Sequence, residues 1–292
     1  MRTIILAAVS TCLAGLTWFG PTAGAGELTM IHSIEFPIVF IYGTDITWDG
    51  SLLWATPVQK GYSIEGIPFP ESSFGLDPSD GSQTAWIRHV DPISANRRGF
   101  TWDGESFWIA THSAVIDLPV DIAEDRMHRF SANGELAETF VLPLSPDAMP
   151  GGLASDGTHL WLSDLKHGKI MKIDPGDMTV ISLFDSPGPE PRGLTWDGSS
   201  LWCVDGTDGL IYQMDPSRNV TDAWSALVTD PWGITYDGQH LWILDNDARR
   251  IFQLAVPEPG TLGLTAVGCA GVLLFLSSIG KLGASLGAEI ES

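Results

Sequence analysis

Residues 193–205 read GLTWDGSSLWCVD. An apolar run breaks at Asp197-Gly198, and a second run carrying a Leu-Trp pair follows. Asp-Gly supports the left-handed backbone angles of a tight hairpin turn, so the stretch predicts two antiparallel strands. The phrase recurs. Its turn stands at Asp49, Asp103, Asp156, Asp197 and Asp237, and five residues after each comes Trp54, Trp108, Trp161, Trp202 or Trp242. Four residues before the Asp lies Gly99, Gly152, Gly193 or Gly233, with Asp45 in that place in the first unit. Self-similarity at a period of about forty residues marks a repeat architecture.

Each unit adds a third run, as in LIYQMDP and KIMKIDP, and a fourth, as in VTDAWSAL and MTVISLFD. Four strands per unit make a propeller blade. The predicted fold is therefore all-β, a five-bladed β-propeller. A helical solenoid is excluded by the Asp-Gly turns and by the lack of a 3.6-residue apolar period. The repeated Trp is expected to wedge one blade against the next.

The spacing also says how the ring closes. The third run ends 18 residues after the turn Asp in the last three units, at Asp174, Asp215 and Ala255. In the first two it ends 28 after, at Asp77 and Ser131, so these carry a ten-residue insertion between their second and third strands. The fifth unit stops before a fourth strand. The run ELTMIHSIEF at 27–36 stands where that strand would come from, and it is predicted to complete the last blade. That pairing covers a sheet edge otherwise left open.

Both ends lie outside the repeats. Residues 1–25 read as a secretory signal peptide, with an apolar run after Arg2 and Ala23-Gly24-Ala25 as a small-x-small cleavage site. The propeller is assigned to 26–255, a Pro-rich motif to 256–260, an uncharged run to 261–280 and a short tail to 281–292. The uncharged run suits a single transmembrane helix. Val256, Pro257, Glu258 and Pro259 followed by that run resemble the sorting signal of PEP-CTERM proteins. The resemblance covers the C-terminal end only. It implies a Gram-negative exporter, a sorting protease of the exosortase type as partner and a setting rich in exopolysaccharide. The chain would be exported, and membrane-anchored or extracellular after processing. The tail departs from the family pattern: a lone Lys281 follows the run where clustered Arg is usual.

The formal net charge is −21. Such a surface repels phosphate backbones, which argues against nucleic acid as a partner, and it attracts cations and basic ligands. Cys203 is the one cysteine between the two ends, so no internal disulfide is available there.

In a propeller the loop into each blade and the loop between its second and third strands open on one face. Arg98, Gly151, Arg192 and Trp232, each before a repeat Gly, fall there. So do Asp164, Asp205 and Asp245, three residues after a repeat Trp, where the first two units have Pro57 and Thr111. Arg98, Arg192 and Trp232 come from three blades and form a candidate site for an anionic or sugar ligand. The three Asp would orient the Arg pair or bind a cation, calcium included. The structural alternative is that each Asp closes a turn onto its own backbone and the two Arg pair with these carboxylates. No other cofactor is expected. The chain has no G-x-S-x-G, no H-E-x-x-H, no phosphate loop and no metal-spaced Cys/His cluster. Its histidines, His32, His89, His112, His128, His159, His167 and His240, are scattered. The phrase DGxxLW resembles repeats of streptogramin-lyase-like and glutaminyl-cyclotransferase-like propellers, and the second group is similar in having five blades. The sequence reads as a binding or structural module at the cell envelope or extracellular matrix, with polysaccharide or a small ligand as partner. The alternative is a propeller enzyme of lyase, cyclotransferase or hydrolase type with a pocket on the upper face.

Overall fold

A computed structural model of the chain describes residues 27–36, 43–57, 72–88, 96–112 and 124–257. The expected signal peptide, the uncharged run at 261–280, the tail, and Glu258 and Pro259 of the sorting motif lie outside the described residues.

Twenty described strands form five antiparallel sheets of four. Blade 1 holds β2 (Gly43–Trp48), β3 (Leu53–Pro57), β4 (Ser72–Leu76) and β5 (Gln83–Arg88). Blade 2 holds β6 (Asn96–Trp102), β7 (Ser106–His112), β8 (Arg126–Ser131) and β9 (Leu136–Val141). Blade 3 holds β10 (Pro150–Ser155), β11 (Leu160–Asp164), β12 (Lys169–Ile173) and β13 (Val180–Asp185). Blade 4 holds β14 (Pro191–Trp196), β15 (Leu201–Asp205), β16 (Leu210–Met214) and β17 (Val220–Ser225). Blade 5 has three consecutive strands, β18 (Pro231–Tyr236), β19 (His240–Asp245) and β20 (Arg250–Ala255), and takes its outer strand, β1 (Thr29–Glu35), from the N-terminal end. The pairing runs from Thr29↔Ala255 to Glu35↔Arg250, and Phe36 N–H donates to the Arg249 carbonyl at 2.9 Å. The ring therefore closes as the spacing predicts. The insertions also fall as expected: 58–71 and 113–125 separate the middle strands of blades 1 and 2, against 165–168 in blade 3.

The repeated phrase is a clasp. In blade 4 Asp197 Oδ1 accepts from the N–H groups of Ser199 and Ser200, both at 2.7 Å, and its Oδ2 accepts from Trp202 Nε1 at 2.7 Å. Gly198 takes φ +99°, which a side chain would strain. The same Asp-to-indole bond recurs at Trp54, Trp108, Trp161 and Trp242, at 2.6, 2.6, 3.1 and 2.7 Å. Each carboxylate thus fixes its hairpin and aims a large ring at the seam with the next blade. Trp54 meets Phe107 of blade 2 with ring centres 5.0 Å apart, and Trp161 stacks on Trp196 of blade 4. Trp242 joins Ile46, Leu53 and Ala55 of blade 1 in one core cluster. The five tryptophans are wedges, and truncating a buried one costs about 3–5 kcal/mol.

Candidate functional site

The inner strands β2, β6, β10, β14 and β18 meet at the molecular axis, and each has a register shift at or beside its repeat position. A Cβ on Gly152 would lie 2.5 Å from Gly193 Cα, and one on Gly193 2.5 Å from the Trp232 carbonyl oxygen. The backbones approach too closely there for a side chain. The exception fills the middle. Asp45 is fully buried; its Oδ2 accepts from the N–H groups of Phe100 at 2.9 Å and Leu153 at 3.3 Å, and its Oδ1 from Ile46 at 3.0 Å. Burial pushes this carboxyl well above the usual carboxylate range, against the pull of the three amides. The axis is sealed at this level, so a site must lie above or below it.

On the upper face, opposite the Asp-Gly turns, the three predicted aspartates have one job. Asp164 Oδ1 accepts from the N–H groups of Met149 and Lys166, both at 3.1 Å. Asp205 accepts from Glu190 N–H at 2.6 Å and Thr207 N–H at 2.8 Å. Asp245 accepts from Thr229 N–H at 3.0 Å and Asp247 N–H at 2.9 Å. Each ties the loop leading into its blade to the loop after its second strand. All three carboxylates serve backbone amides, Asp164 Oδ2 is also bonded to His167 Nδ1 at 2.7 Å, and among the described residues none of the three pairs with Arg98 or Arg192. Among the described residues no three His, Cys, Asp or Glu side chains are grouped to hold a metal ion.

Arg192 and Trp232 are brought together. The guanidinium carbon lies 4.5 Å from the centre of the Trp232 ring. Arg192 Nη1 donates to Asp230 and, at 3.1 Å, to the Pro231 carbonyl, while its Nε lies 3.3 Å from Glu190. Trp232 Nε1 donates to Asp230 Oδ2 at 3.2 Å. This cluster ties blade 4 to blade 5 and pairs the guanidinium with Glu190 and Asp230, although the buried Nε of Arg192, like that of Arg98, makes no hydrogen bond.

Arg98 is different. It stands in the same repeat position in blade 2, yet among the described residues no carboxylate lies within ion-pair distance, and its buried Nε has no hydrogen-bond partner. Burial pulls its pKa below the ordinary guanidinium value, with the Asp125 charge opposing that shift. Asp125 in turn lies 2.9 Å from His112 Nδ1. An ionised carboxylate at that distance accepts from Nδ1–H and so orients the ring. Below this pair Thr111, which replaces the Asp of the later blades, meets His128 Nε2 at 3.3 Å. A second His–carboxylate pair, His167 Nδ1 to Asp164 Oδ2 at 2.7 Å, is more open to solvent, and that hydrogen bond and charge raise the His167 pKa. The upper face of blade 2 thus combines a half-buried cation with an imidazole held by a carboxylate. His112 and Asp125 carried no signal in the repeat spacing, because Asp125 belongs to an insertion and His112 follows the one Thr in a column otherwise Asp or Pro.

No protein-family model and no curated protein matches the sequence. Among solved structures the chain is similar to the glutaminyl cyclase of Myxococcus xanthus, with a TM-score of 0.58, 12% identity, and 79% of this chain and 97% of that one covered. It is also similar to the PQQ-bound aldose sugar dehydrogenase of Streptomyces coelicolor, with a TM-score of 0.52, 10% identity and 81% and 100% of the two chains covered. Virginiamycin B lyase from Staphylococcus aureus follows at a TM-score of 0.47 and 14% identity, over 79% of this chain and 100% of that one. The likeness is one of fold, in keeping with the propeller resemblance of the repeat phrase.

Proposed function

We propose that the upper face of blade 2 is a ligand site in which Arg98 receives an anionic group and the His112–Asp125 pair moves a proton. The protein is then an exported propeller that binds, and acts on, a small or saccharide-like acid. The observation that carries this reading is Arg98: a half-buried guanidinium with an unbonded Nε and, among the described residues, no carboxylate at ion-pair distance calls for an anion from outside. Fold neighbours assign no activity, since function belongs to sites and not to folds.

Export and sorting form part of the same proposal. Ala255 pairs with His240 beside the Asp237 turn, so Val256 and Pro257 leave the ring on the turn side. With 261–280 as an anchor and an exosortase as the processing partner, the blade 2 site faces away from the membrane. A second reading, a purely structural envelope or matrix module, is favoured by Asp164, Asp205 and Asp245, each of which ties two loops together through their backbone amides.

The test is a thermal-shift screen of the full chain against uronic acids, small carboxylates and their neutral analogues. The reading expects an anionic compound to raise Tm in the wild type and not in Arg98→Gln. A hit that Arg98→Gln leaves intact, or a response to neutral sugars alone, contradicts it.

A further inference from the structure

Blade 3 carries its own ligand on the turn side of the ring. Lys172 Nζ lies 4.7 Å from the centre of the Trp161 ring and 3.0 Å from Asp156 Oδ2. An ammonium is thus held by an aromatic face and by the turn carboxylate, each a recognised means of binding an organic cation. Blade 5 repeats the receptor without the ligand. Asp237 and Trp242 occupy the places of Asp156 and Trp161, with the same carboxylate-to-indole bond. His240 stands 3.5 Å from Asp237 as His159 stands 3.5 Å from Asp156. The residue paired with Trp242 across the strands, however, is Gln253, where Trp161 has Lys172. Among the described residues no Lys or Arg pairs with Asp237.

The repeat tryptophans of the other blades are covered by other side chains. In blade 2 Arg129 lies 5.5 Å over Trp108 and bonds to Ser106. In blade 4 the partner of Trp202 is Gln213, which bonds to Ser200, and Trp224 of the outer strand covers the indole with centres 5.3 Å apart. In blade 1 the partner of Trp54 is Gly75, and Phe107 packs on the indole. At the seam of blades 5 and 1 a cleft of about 410 Å³ remains instead, lined by His32, Trp48, Asp237, Trp242 and Gln253 and bounded by the β4–β5 turn at Ser79. His32 comes from the closing strand β1, and its buried Nε2 has no hydrogen-bond partner. The volume is within the range of small-molecule sites, about 300–1,000 Å³. The net charge of −21 draws cations toward it.

We propose that this seam cleft binds an alkylammonium group, placed as Lys172 is placed in blade 3. The ammonium sits against Asp237, and its alkyl arm lies between the Trp48 and Trp242 walls beside His32. The site is independent of blade 2 and lies on the opposite face. Free amines and lysyl side chains share this chemistry.

The test titrates the full chain with n-pentylammonium and with pentan-1-ol, its neutral counterpart, followed by tryptophan fluorescence. Saturable binding is expected for the ammonium and not for the alcohol. Gln253→Lys rebuilds the blade 3 arrangement, so it should stay folded and lose the response. Asp237→Asn should weaken binding by about tenfold or more; because Asp237 also clasps its hairpin, Gln253→Lys is the deciding variant. Blocked lysine amide binding more tightly than pentylammonium would assign the site to lysyl side chains, and the reverse order to free amines. No saturation by the ammonium, equal binding of the alcohol, or an unchanged response in Gln253→Lys overturns the proposal.

Discussion

Asp45 of blade 1 accepts the backbone N–H of Phe100 in blade 2 at 2.9 Å, at the molecular axis and out of reach of solvent. The other four blades have Gly in this column, so their inner strands close in until the backbones nearly touch. The one side chain left in the middle serves as an acceptor for amides of three blades.

The chemistry of that acceptor predicts a graded mutational series. Asp45→Asn keeps an oxygen for the Phe100 and Leu153 amides but turns its NH2 toward the Ile46 amide, so it should cost about 1 kcal/mol. Asp45→Ala leaves the Phe100 and Leu153 amides buried and unpaired, at a cost of about 2–4 kcal/mol. Urea unfolding of the two variants checks the order, and equal losses would contradict it.

A pH dependence follows from the same residue. Burial raises the folded pKa of Asp45, so the folded state holds that proton more tightly than the unfolded chain. The stability it contributes is full below the unfolded value of about 3.9 and is lost as pH rises through the folded value. Asp49, Asp156 and Asp237 act in the other direction. Although burial opposes it, hydrogen bonds from their tryptophans and turn amides, and from Lys172 at Asp156, lower their pKa values. Their contribution is present above about 3.9 and lost as pH falls through their folded values. Asp45→Asn should therefore gain on the wild type as pH rises from acid toward neutrality. A constant difference across that range would contradict the assignment.

Ring closure should be cooperative with the rest of the fold. Ile34 on β1 is buried among Ile46, Leu53 and Leu244. Ile34→Asp puts a charge at the seam and should lower Tm by roughly 10 °C, and deleting 29–35 should lower it further. Calorimetry decides, and a deletion that melts like the full chain would rule out β1 as a structural strand.

Asp197 and Trp202 should be energetically coupled. Asp197→Ala removes one indole and two amide bonds, and is expected to cost about 2–4 kcal/mol. A cycle with Trp202→Phe should give a coupling of about 1 kcal/mol. A coupling of zero would mean that the indole bond adds nothing to the wedge.

The fold was open to reading because its signals are local and repeated. Asp197-Gly198, the Trp five residues after the turn Asp and the truncated fifth unit fix strand count, turn type and closure without knowledge of any contact. The Asp-to-indole bond was hidden, since a spacing of five residues shows a period and not a partner. The upper face was legible in position but not in role. Asp164, Asp205 and Asp245 lie where expected and face backbone amides, while Arg192 chose Asp230 and Glu190 as partners. His112 and Asp125 stand outside the repeat register, so nothing but coordinates could pair them.

The blade 2 site rests on Arg98 being a cation kept for an external partner, and the unfolding free energies of Arg98→Met and Arg192→Met compare it directly with a structural arginine. Arg192 is ion-paired and stacked, so Arg192→Met should cost about 1–3 kcal/mol. Arg98 is half-buried and, among the described residues, has no ion-pair partner, so Arg98→Met should leave stability unchanged within about 1 kcal/mol or raise it. A loss in Arg98→Met as large as that in Arg192→Met would make Arg98 a structural residue and remove the basis of the site.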